Sequence, residues 1–218
     1  MGMPQSHYFT DDPESPERRR TVRVELAGKE REVVTANGIF SPDGLDKGTA
    51  AMLSAVPEPP ASGTFLDIGC GWGPLALTLG LTSPDAEIWA VDVNQRSLGL
   101  TETNAAALGV AATAGGEPTS SGIRPGVQVA LPEAVPAGTT FDLIWSNPPI
   151  RVGKQVLHDI LLTWLPRLNP GGEAYLVVQK NLGSDSLQTW LEQNLDDDFS
   201  VERFARVKAF RVLRVSRA

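Results

Sequence analysis

Cysteine and histidine are nearly missing from this 218-residue chain, which has one Cys, at position 70, and two His, at positions 7 and 158. A single thiol excludes a disulfide framework and a cysteine-based zinc cluster, and two distant imidazoles are poor material for a metal site, so no metal is expected. No apolar run approaches the roughly 18 residues that a spanning helix needs. The N-terminus also lacks a basic-then-apolar leader, which makes the cytoplasm the expected compartment. Positive charge is short as well: 19 Lys+Arg against 26 Asp+Glu leave a net charge of −7. Such a chain is repelled by nucleic acid at long range and would need a local basic patch to hold it. One candidate patch lies near the end, where Arg203, Arg206, Lys208, Arg211, Arg214 and Arg217 face the single acid Glu202. On spacing alone the same residues read rather better as the polar face of a terminal strand pair. What is present in quantity is core material, with 41% hydrophobic residues and five Trp, enough for one domain and against disorder. A monomer is the simple expectation.

The chain divides by pattern near residue 60. Before it, Val22, Val24 and Leu26 alternate with charges, Ala27-Gly28-Lys29 turns, and Glu30–Thr35 resumes, which is a hairpin signal. Turns at Asn37-Gly38 and Ser41–Gly44 follow, then a helix over about Lys47–Ala55, ended by prolines. Residues 1–60 are expected as an N-terminal β extension with its connecting helix, and 61–218 as the main domain. From Thr64, strands alternate with helices. Strands are expected at Phe65–Ile68, Glu87–Val91, Phe141–Ser146 and Ala174–Gln179, and helices at Pro74–Leu81, Arg96–Leu108, Val156–Leu168 and Ser184–Leu195. This alternation predicts an α/β fold, a Rossmann-like, mostly parallel sheet with helices on both faces. Phe199–Ala205 and Ala209–Val215 would close one edge as an antiparallel pair. The Gly-, Pro- and Ser-rich stretch 111–139 admits at most one strand, near Val127–Leu131.

Asp67-Ile68-Gly69-Cys70-Gly71-Trp72-Gly73 lies between a predicted strand and helix. Glycines there let the backbone turn sharply and approach a ligand that side chains would exclude. A dinucleotide loop wants Gly-x-Gly-x-x-Gly, but its sixth position here is Pro74, and no Lys-Ser/Thr pair follows to make a P-loop. Asp92 ends the second strand, where a carboxylate can accept both hydroxyls of a ribose, with Val93 beside it. Together these features point to an adenosine-containing cofactor, and the glycine spacing prefers S-adenosylmethionine to NAD. Cys70, inside the loop, reads as a small packing residue.

Ser146-Asn147-Pro148-Pro149-Ile150 follows the third clear strand, at the carboxyl edge where open α/β sheets bind ligands. Proline after Asn147 forces that residue into an extended conformation, and the second proline fixes the next turn. The rigid loop would offer the Asn147 amide and the Pro148 carbonyl as two acceptors for a planar exocyclic amine. Holding both N–H groups aims the nitrogen lone pair at a sulfonium methyl, so transfer becomes a matter of orientation.

With these residues in view the sequence resembles the class I S-adenosylmethionine-dependent methyltransferases. More narrowly it is similar to the small-subunit ribosomal RNA guanine-N2 methyltransferases, the RsmC-like group. The resemblance is carried by His7-Tyr8-Phe9, Gly38–Ser41, Asp46–Thr49, Leu66–Gly73, Val91–Asn94, Ser146–Ile150, Pro170–Gly172 and Gln179–Asn181. It implies that Asp67, Gly69, Cys70 and Gly71 surround the methionine part of the cofactor and Asp92 and Val93 the nucleoside. It implies further that Phe40, Asp46 and Thr49 close over the site and that Asn147, Pro148, Pro149 and Ile150 hold the acceptor. Arg151, Lys154 and Lys180 would hold phosphates of ribosomal RNA or of the small ribosomal subunit. Two features depart from the group: Ile150 stands where many amine methyltransferases have an aromatic, and the acid for the adenine amine is reduced to the candidates Glu117 and Glu133. Methylation of a protein glutamine, methylation of a small-molecule amine and a non-catalytic RNA-binding or assembly role are the alternatives.

Overall fold

Alternating apolar residues build the first two strands, β1 (Arg19–Leu26) and β2 (Lys29–Ala36), which pair antiparallel as a separate two-stranded sheet. The computed structural model describes residues 16–112 and 124–218. His7-Tyr8-Phe9 and Glu117 lie outside them. The turn between β1 and β2 places Ala27 and Gly28 at φ 50° and 71°, and Gly28 takes the second of these without steric cost. Helix α1 (Lys47–Leu53) follows, its first turn capped by the Asp46 carboxylate.

The large sheet contains β3 (Ser62–Ile68), β4 (Asp85–Val91), β5 (Gly126–Ala130), β6 (Phe141–Ser146), β7 (Leu168–Gln179), β8 (Phe199–Val207) and β9 (Phe210–Arg217). Their order is β5-β4-β3-β6-β7-β9-β8. The first five run parallel; β9 enters antiparallel between β7 and β8 and so makes the expected edge pair. The parallel strands are joined through α2 (Pro74–Thr82), α3 (Gln95–Ala107) and α4 (Lys154–Trp164), while α5 (Ser184–Asn194) connects β7 to β8. The expected α/β fold with helices on both faces is the observed one. One strand begins earlier than its pattern suggests: β7 includes Asn169–Gly172, which reads as a turn. A register shift between Phe141 and Leu143 absorbs the extra residues, and any side chain at position 172 would meet the Asn169 carbonyl oxygen at 2.9 Å.

Two cores flank the sheet. On one face α2 and α3 pack with Val24, Leu26 and Val33 of the hairpin and Met52 of α1; on the other, Leu157, Leu161 and Trp164 of α4 meet Leu187 and Leu191 of α5. The N-terminal segment therefore shares its core with α2, α3 and the sheet. Leu26, Ile39 and Met52 are fully buried, and burial of each is worth about 1.5–3 kcal/mol. A polar link strengthens the join. Asn104, buried on α3, accepts the Val34 N–H at 2.7 Å and donates to the Val34 carbonyl at 2.9 Å and the Trp72 carbonyl at 3.0 Å.

The basic tail is largely consumed by the fold. Arg203 pairs with Asp185, Arg214 with Glu173 and Glu202, and Arg217 with Asp198, while Arg211 is buried with its guanidinium on the Phe210 carbonyl. Arg206 and Lys208 stay exposed near the β8–β9 turn.

Replacing Asn104 with Ala would strand three main-chain groups where water is scarce. Each such loss costs about 1–3 kcal/mol when the partner stays buried. With partial relaxation, Asn104→Ala is expected to lower the unfolding free energy by about 2–4 kcal/mol in urea denaturation, with the slope unchanged.

Candidate functional site

Parallel register brings three loops to one level. Ile68 of β3 stands opposite Val91 of β4 on one side and Ser146 of β6 on the other. The chains leaving these residues carry the glycine loop, Asp92 and Asn147. Strand order reverses between β3 and β6, and the crevice at such a switch point is where open α/β sheets take ligands.

The glycine loop is held from several sides. Gly69 and Cys70 both donate to the Val91 carbonyl, at 2.8 and 3.0 Å. The Thr101 hydroxyl donates to the Gly71 carbonyl at 2.9 Å, and Asn104 holds the Trp72 carbonyl. Gly69, Gly71 and Gly73 sit at φ 74°, 59° and 98°, a region that side-chain-bearing residues rarely adopt. At Gly73 a Cβ would also meet Thr101 at 3.0 Å, which explains the third glycine as a packing requirement. Pro74 opens α2, where a missing N–H costs nothing.

Beside this loop lies a pocket enclosing about 350 Å³ of empty space, part of it open to solvent. Phe40, Asp46 and Thr49 line it from the N-terminal segment, Asp67, Gly69, Cys70 and Gly71 from the loop, and Asn147 from the end of β6. These eight residues, drawn from three stretches of sequence, are thus brought together. Ser41, Trp72, Pro74 and Leu75 complete the lining. These four are not among the site residues expected from the sequence, although for Ser41 a signal exists in the Ser41-Pro42-Asp43-Gly44 turn that it opens.

Asp67 is the most unusual group in the pocket. It is 1% exposed; Oδ2 accepts the Ala76 N–H at 3.0 Å, while Oδ1 finds no donor among the described residues. Burial pushes its carboxyl up to about 7; the Ala76 N–H opposes the shift and the nearby Asp92 charge adds to it. A buried, half-satisfied carboxylate beside glycines suits a cationic group such as the ammonium of S-adenosylmethionine. Asp92 lies one hydrogen bond from the pocket lining. Its Oδ2 accepts the Gly71 N–H and its Oδ1 the Asn94 N–H, both at 2.9 Å. Each oxygen keeps a lone pair, the capacity that two ribose hydroxyls require. Burial raises its carboxyl too, and the N–H groups of Asn94, Gly71 and Val93 pull it back. Val93, at 38% exposure, offers an apolar surface next to it. Cys70 is buried, and burial with the charges of Asp92 and Asp67 drives its thiol well above the ordinary value, so it packs and does not react.

The Asn147 side chain is fixed by the N-terminal segment. Its Nδ2 donates to Asp46 Oδ2 at 2.9 Å and to Thr49 Oγ1 at 3.1 Å. Its Oδ1 is left to accept. Pro148 is buried, and its carbonyl accepts the Ile150 N–H at 2.8 Å, which leaves one lone pair. Pro149 is half-buried and leads into a 3-10 turn over Ile150–Val152, where Ile150 packs against the core beneath α4. Arg151, Lys154 and Lys180 are exposed at this edge of the sheet. Glu133 is exposed on the short turn after β5 and does not line the pocket. Among the described residues no three His, Cys, Asp or Glu side chains gather as they would around a metal ion, and no helix is long and apolar enough to cross a membrane.

This fold, with its glycine loop, two acids and amide at one sheet edge, defines a class I S-adenosylmethionine-dependent methyltransferase. The chain belongs to the methyltransferase small domain family, which it matches over residues 30–214. Among its relatives is an uncharacterized protein, YbxB, of Bacillus subtilis (strain 168), 32% identical over 197 residues that cover 90% of this chain and 92% of that one. Another is the ribosomal RNA small subunit methyltransferase C of Salmonella choleraesuis (strain SC-B67), 32% identical over 187 residues. That match covers 84% of this chain but 48% of the relative, so the chain spans about half its length. The fold is shared with T. thermophilus 16S rRNA N2 G1207 methyltransferase (RsmC), solved with AdoMet and guanosine. The TM-score is 0.74 at 24% identity, over 94% of this chain and 52% of that one. The methyl donor of the family is S-adenosylmethionine.

The Asp67 carboxyl gives the cofactor's affinity a pH signature. Its folded-state value lies above the ordinary 3.8, so the folded chain holds the proton more tightly; this contribution to stability is complete below about 4 and lost as pH rises through about 7. A cationic ligand reverses the preference and expels the proton. Calorimetric affinity for S-adenosylmethionine is expected to rise up to about tenfold per pH unit between about pH 5 and 7, with proton release, and to level off above. Asp67→Asn should abolish both the slope and the release.

Proposed function

We propose that this protein transfers a methyl group from S-adenosylmethionine to the exocyclic N2 amine of a guanine in small-subunit ribosomal RNA. The single observation that carries the reading is the Asn147 amide, clamped through its nitrogen at 2.9 and 3.1 Å so that its oxygen is the free acceptor at the pocket. An exocyclic amine that donates to Asn147 Oδ1 and to the Pro148 carbonyl has its lone pair turned out of its own plane, toward the donor methyl. The nitrogen–carbon bond forms as the carbon–sulfur bond breaks, sulfur keeps the electron pair as a thioether, and the surplus amine proton leaves to solvent. No side chain is required as a nucleophile, and orientation can supply several kcal/mol of the barrier reduction. The choice of guanine rests on the relatives, whose names specify small-subunit ribosomal RNA and an N2 guanine position. Arg151, Lys154 and Lys180 would then take phosphates along the rim, which suits a chain whose net charge of −7 offers little long-range attraction. Ribosomal RNA as substrate places the protein in the cytoplasm.

The test is methyl transfer. Labelled S-adenosylmethionine is supplied with small subunits, large subunits, free ribosomal RNA or total protein from cells lacking the gene. Label recovered from small-subunit RNA as N2-methylguanosine is the expected result. Label in protein would move the assignment to a side-chain amide, and label in small molecules alone would remove RNA from it. Asn147→Ala is expected to bind the cofactor within about threefold of wild type and to lose at least about 100-fold in turnover.

A further inference from the structure

Asn147 cannot orient itself, because a side-chain amide has two near-isosteric ends and rotates about χ2. The structure shows what decides between them. Asp46 Oδ2 already accepts the Gly48 N–H at 2.6 Å and the Thr49 N–H at 3.2 Å, so it is committed as an acceptor, and only the NH2 end of Asn147 can face it. Thr49 Oγ1 takes the second hydrogen of the same nitrogen. With both hydrogens used, the oxygen is the end left for substrate, and no described residue donates to it. The flipped amide would set its oxygen against the Asp46 carboxylate, two acceptors about 3 Å apart, and would lose that bond even if the Thr49 hydroxyl turned to donate to it.

We propose that Asp46, supported by Thr49, is a positioning residue for the transfer reaction: it locks Asn147 in the one orientation that accepts an amine. This rests on the reading of Asn147 as the residue that holds the acceptor. The role differs from closing over the cofactor, which the resemblance alone suggests for Asp46 and Thr49. It also accounts for Gly48. A Cβ there would lie 2.8 Å from Asp46 Oδ2, 3.1 Å from the Phe210 ring and 3.3 Å from Asn147 Nδ2, so the gap that the clamp needs admits only glycine. Gly48 has no positive φ to explain it. A glycine in the first turn of a helix, where Ala would favour helix formation, is kept for close approach. The N-terminal segment thereby contributes to the chemistry of a residue 101 positions away.

Three variants separate positioning from folding. Asp46→Ser keeps a good cap for α1 but is too short to reach Asn147. Gly48→Ala raises intrinsic helix propensity while pushing a methyl group into the clamp. Asp46→Asn can restore an acceptor oxygen in the same place. For Asp46→Ser and Gly48→Ala, kcat is expected to fall about 10- to 100-fold, the loss of one or two hydrogen bonds at the reacting group. S-adenosylmethionine affinity and thermal midpoint should stay near wild type, and Asp46→Asn should stay within about fivefold of wild-type kcat. The side-chain amide protons of Asn147, identified in the nitrogen-15 spectrum by their absence from Asn147→Asp, should be protected from solvent exchange in wild type. In Asp46→Ser they should become exposed. An unchanged Asn147 amide signal in Asp46→Ser, an unchanged kcat, or a loss confined to cofactor affinity would each overturn the proposal. The spectrum needs no acceptor, and turnover is read on whichever acceptor takes label. Failure of the ribosomal RNA reading therefore shows as label elsewhere with the same variant pattern, distinct from failure of the clamp.

Discussion

The parallel register of three strand ends is the constraint on which the rest of the molecule depends. Ile68, Val91 and Ser146 are level across β3, β4 and β6, so the loops that follow them must meet at one edge. A shift of one residue in any strand would turn its side chains to the opposite face and carry its loop away from the other two. The register is held by main-chain ladders and by apolar residues buried on both faces of the sheet, such as Phe65, Leu66, Ile144 and Leu176. One side chain ties the strand ends directly: the Ser146 hydroxyl donates to the Ile68 carbonyl at 2.8 Å, immediately before Asn147.

Around that edge the N-terminal segment and the α/β sheet depend on each other. The hairpin alone is a two-stranded ribbon, and such ribbons are marginal in water without a surface to cover. It gains that surface from α2 and α3, and it is pinned by Asn104 and by Asn94, whose side-chain nitrogen donates to the Gly38 carbonyl at 3.1 Å. In return it delivers Phe40, Asp46 and Thr49 to the pocket. Two asparagines, Asn94 and Asn104, thus help to set the position of the segment whose Asp46 and Thr49 bond the Asn147 amide.

Much of this was legible in the sequence, for identifiable reasons. Strands and helices of the sheet follow apolar periodicity, and the glycine loop, Asp92 and Asn-Pro-Pro are local patterns whose chemistry is carried by neighbouring residues. The tail was ambiguous because spacing shows where charges are but not what they face. Asp185, Glu173, Glu202 and Asp198, which pair with its arginines, come mostly from other elements. The contact between Asp46 and Asn147 was illegible for the same reason in stronger form. Both residues stood out separately, yet nothing in a single sequence links positions 101 apart. Buried asparagines such as Asn104 are likewise indistinguishable from surface ones until the fold supplies their three partners.

The energetics of the site explain why its supports are so numerous. Asp67 is a buried carboxyl with one unpaired oxygen, and Asp92 is a second acid close enough to raise it. Each arrangement disfavours the folded chain when both acids are charged, and no bond inside the protein removes the penalty. Three glycines at positive φ add the entropy of the most flexible residue type to the unfolded state. A loop with these liabilities would open unless something else held it. Its carbonyls at Gly71 and Trp72 are satisfied by Thr101 and Asn104 of α3, its N–H groups at Gly69, Cys70 and Gly71 by Val91 at the end of β4 and Asp92 just after it. The acceptors and donors come from elements anchored in the core, so the loop inherits their rigidity. Among the described residues Asp67 Oδ1 is the oxygen of this loop's two acids that is buried without a donor, and on the proposed reading a cationic ligand would be its partner. On the proposed reading the destabilising group and the binding group are the same atom, and the hydrogen bonds from α3 and the end of β4 allow the folded chain to keep it.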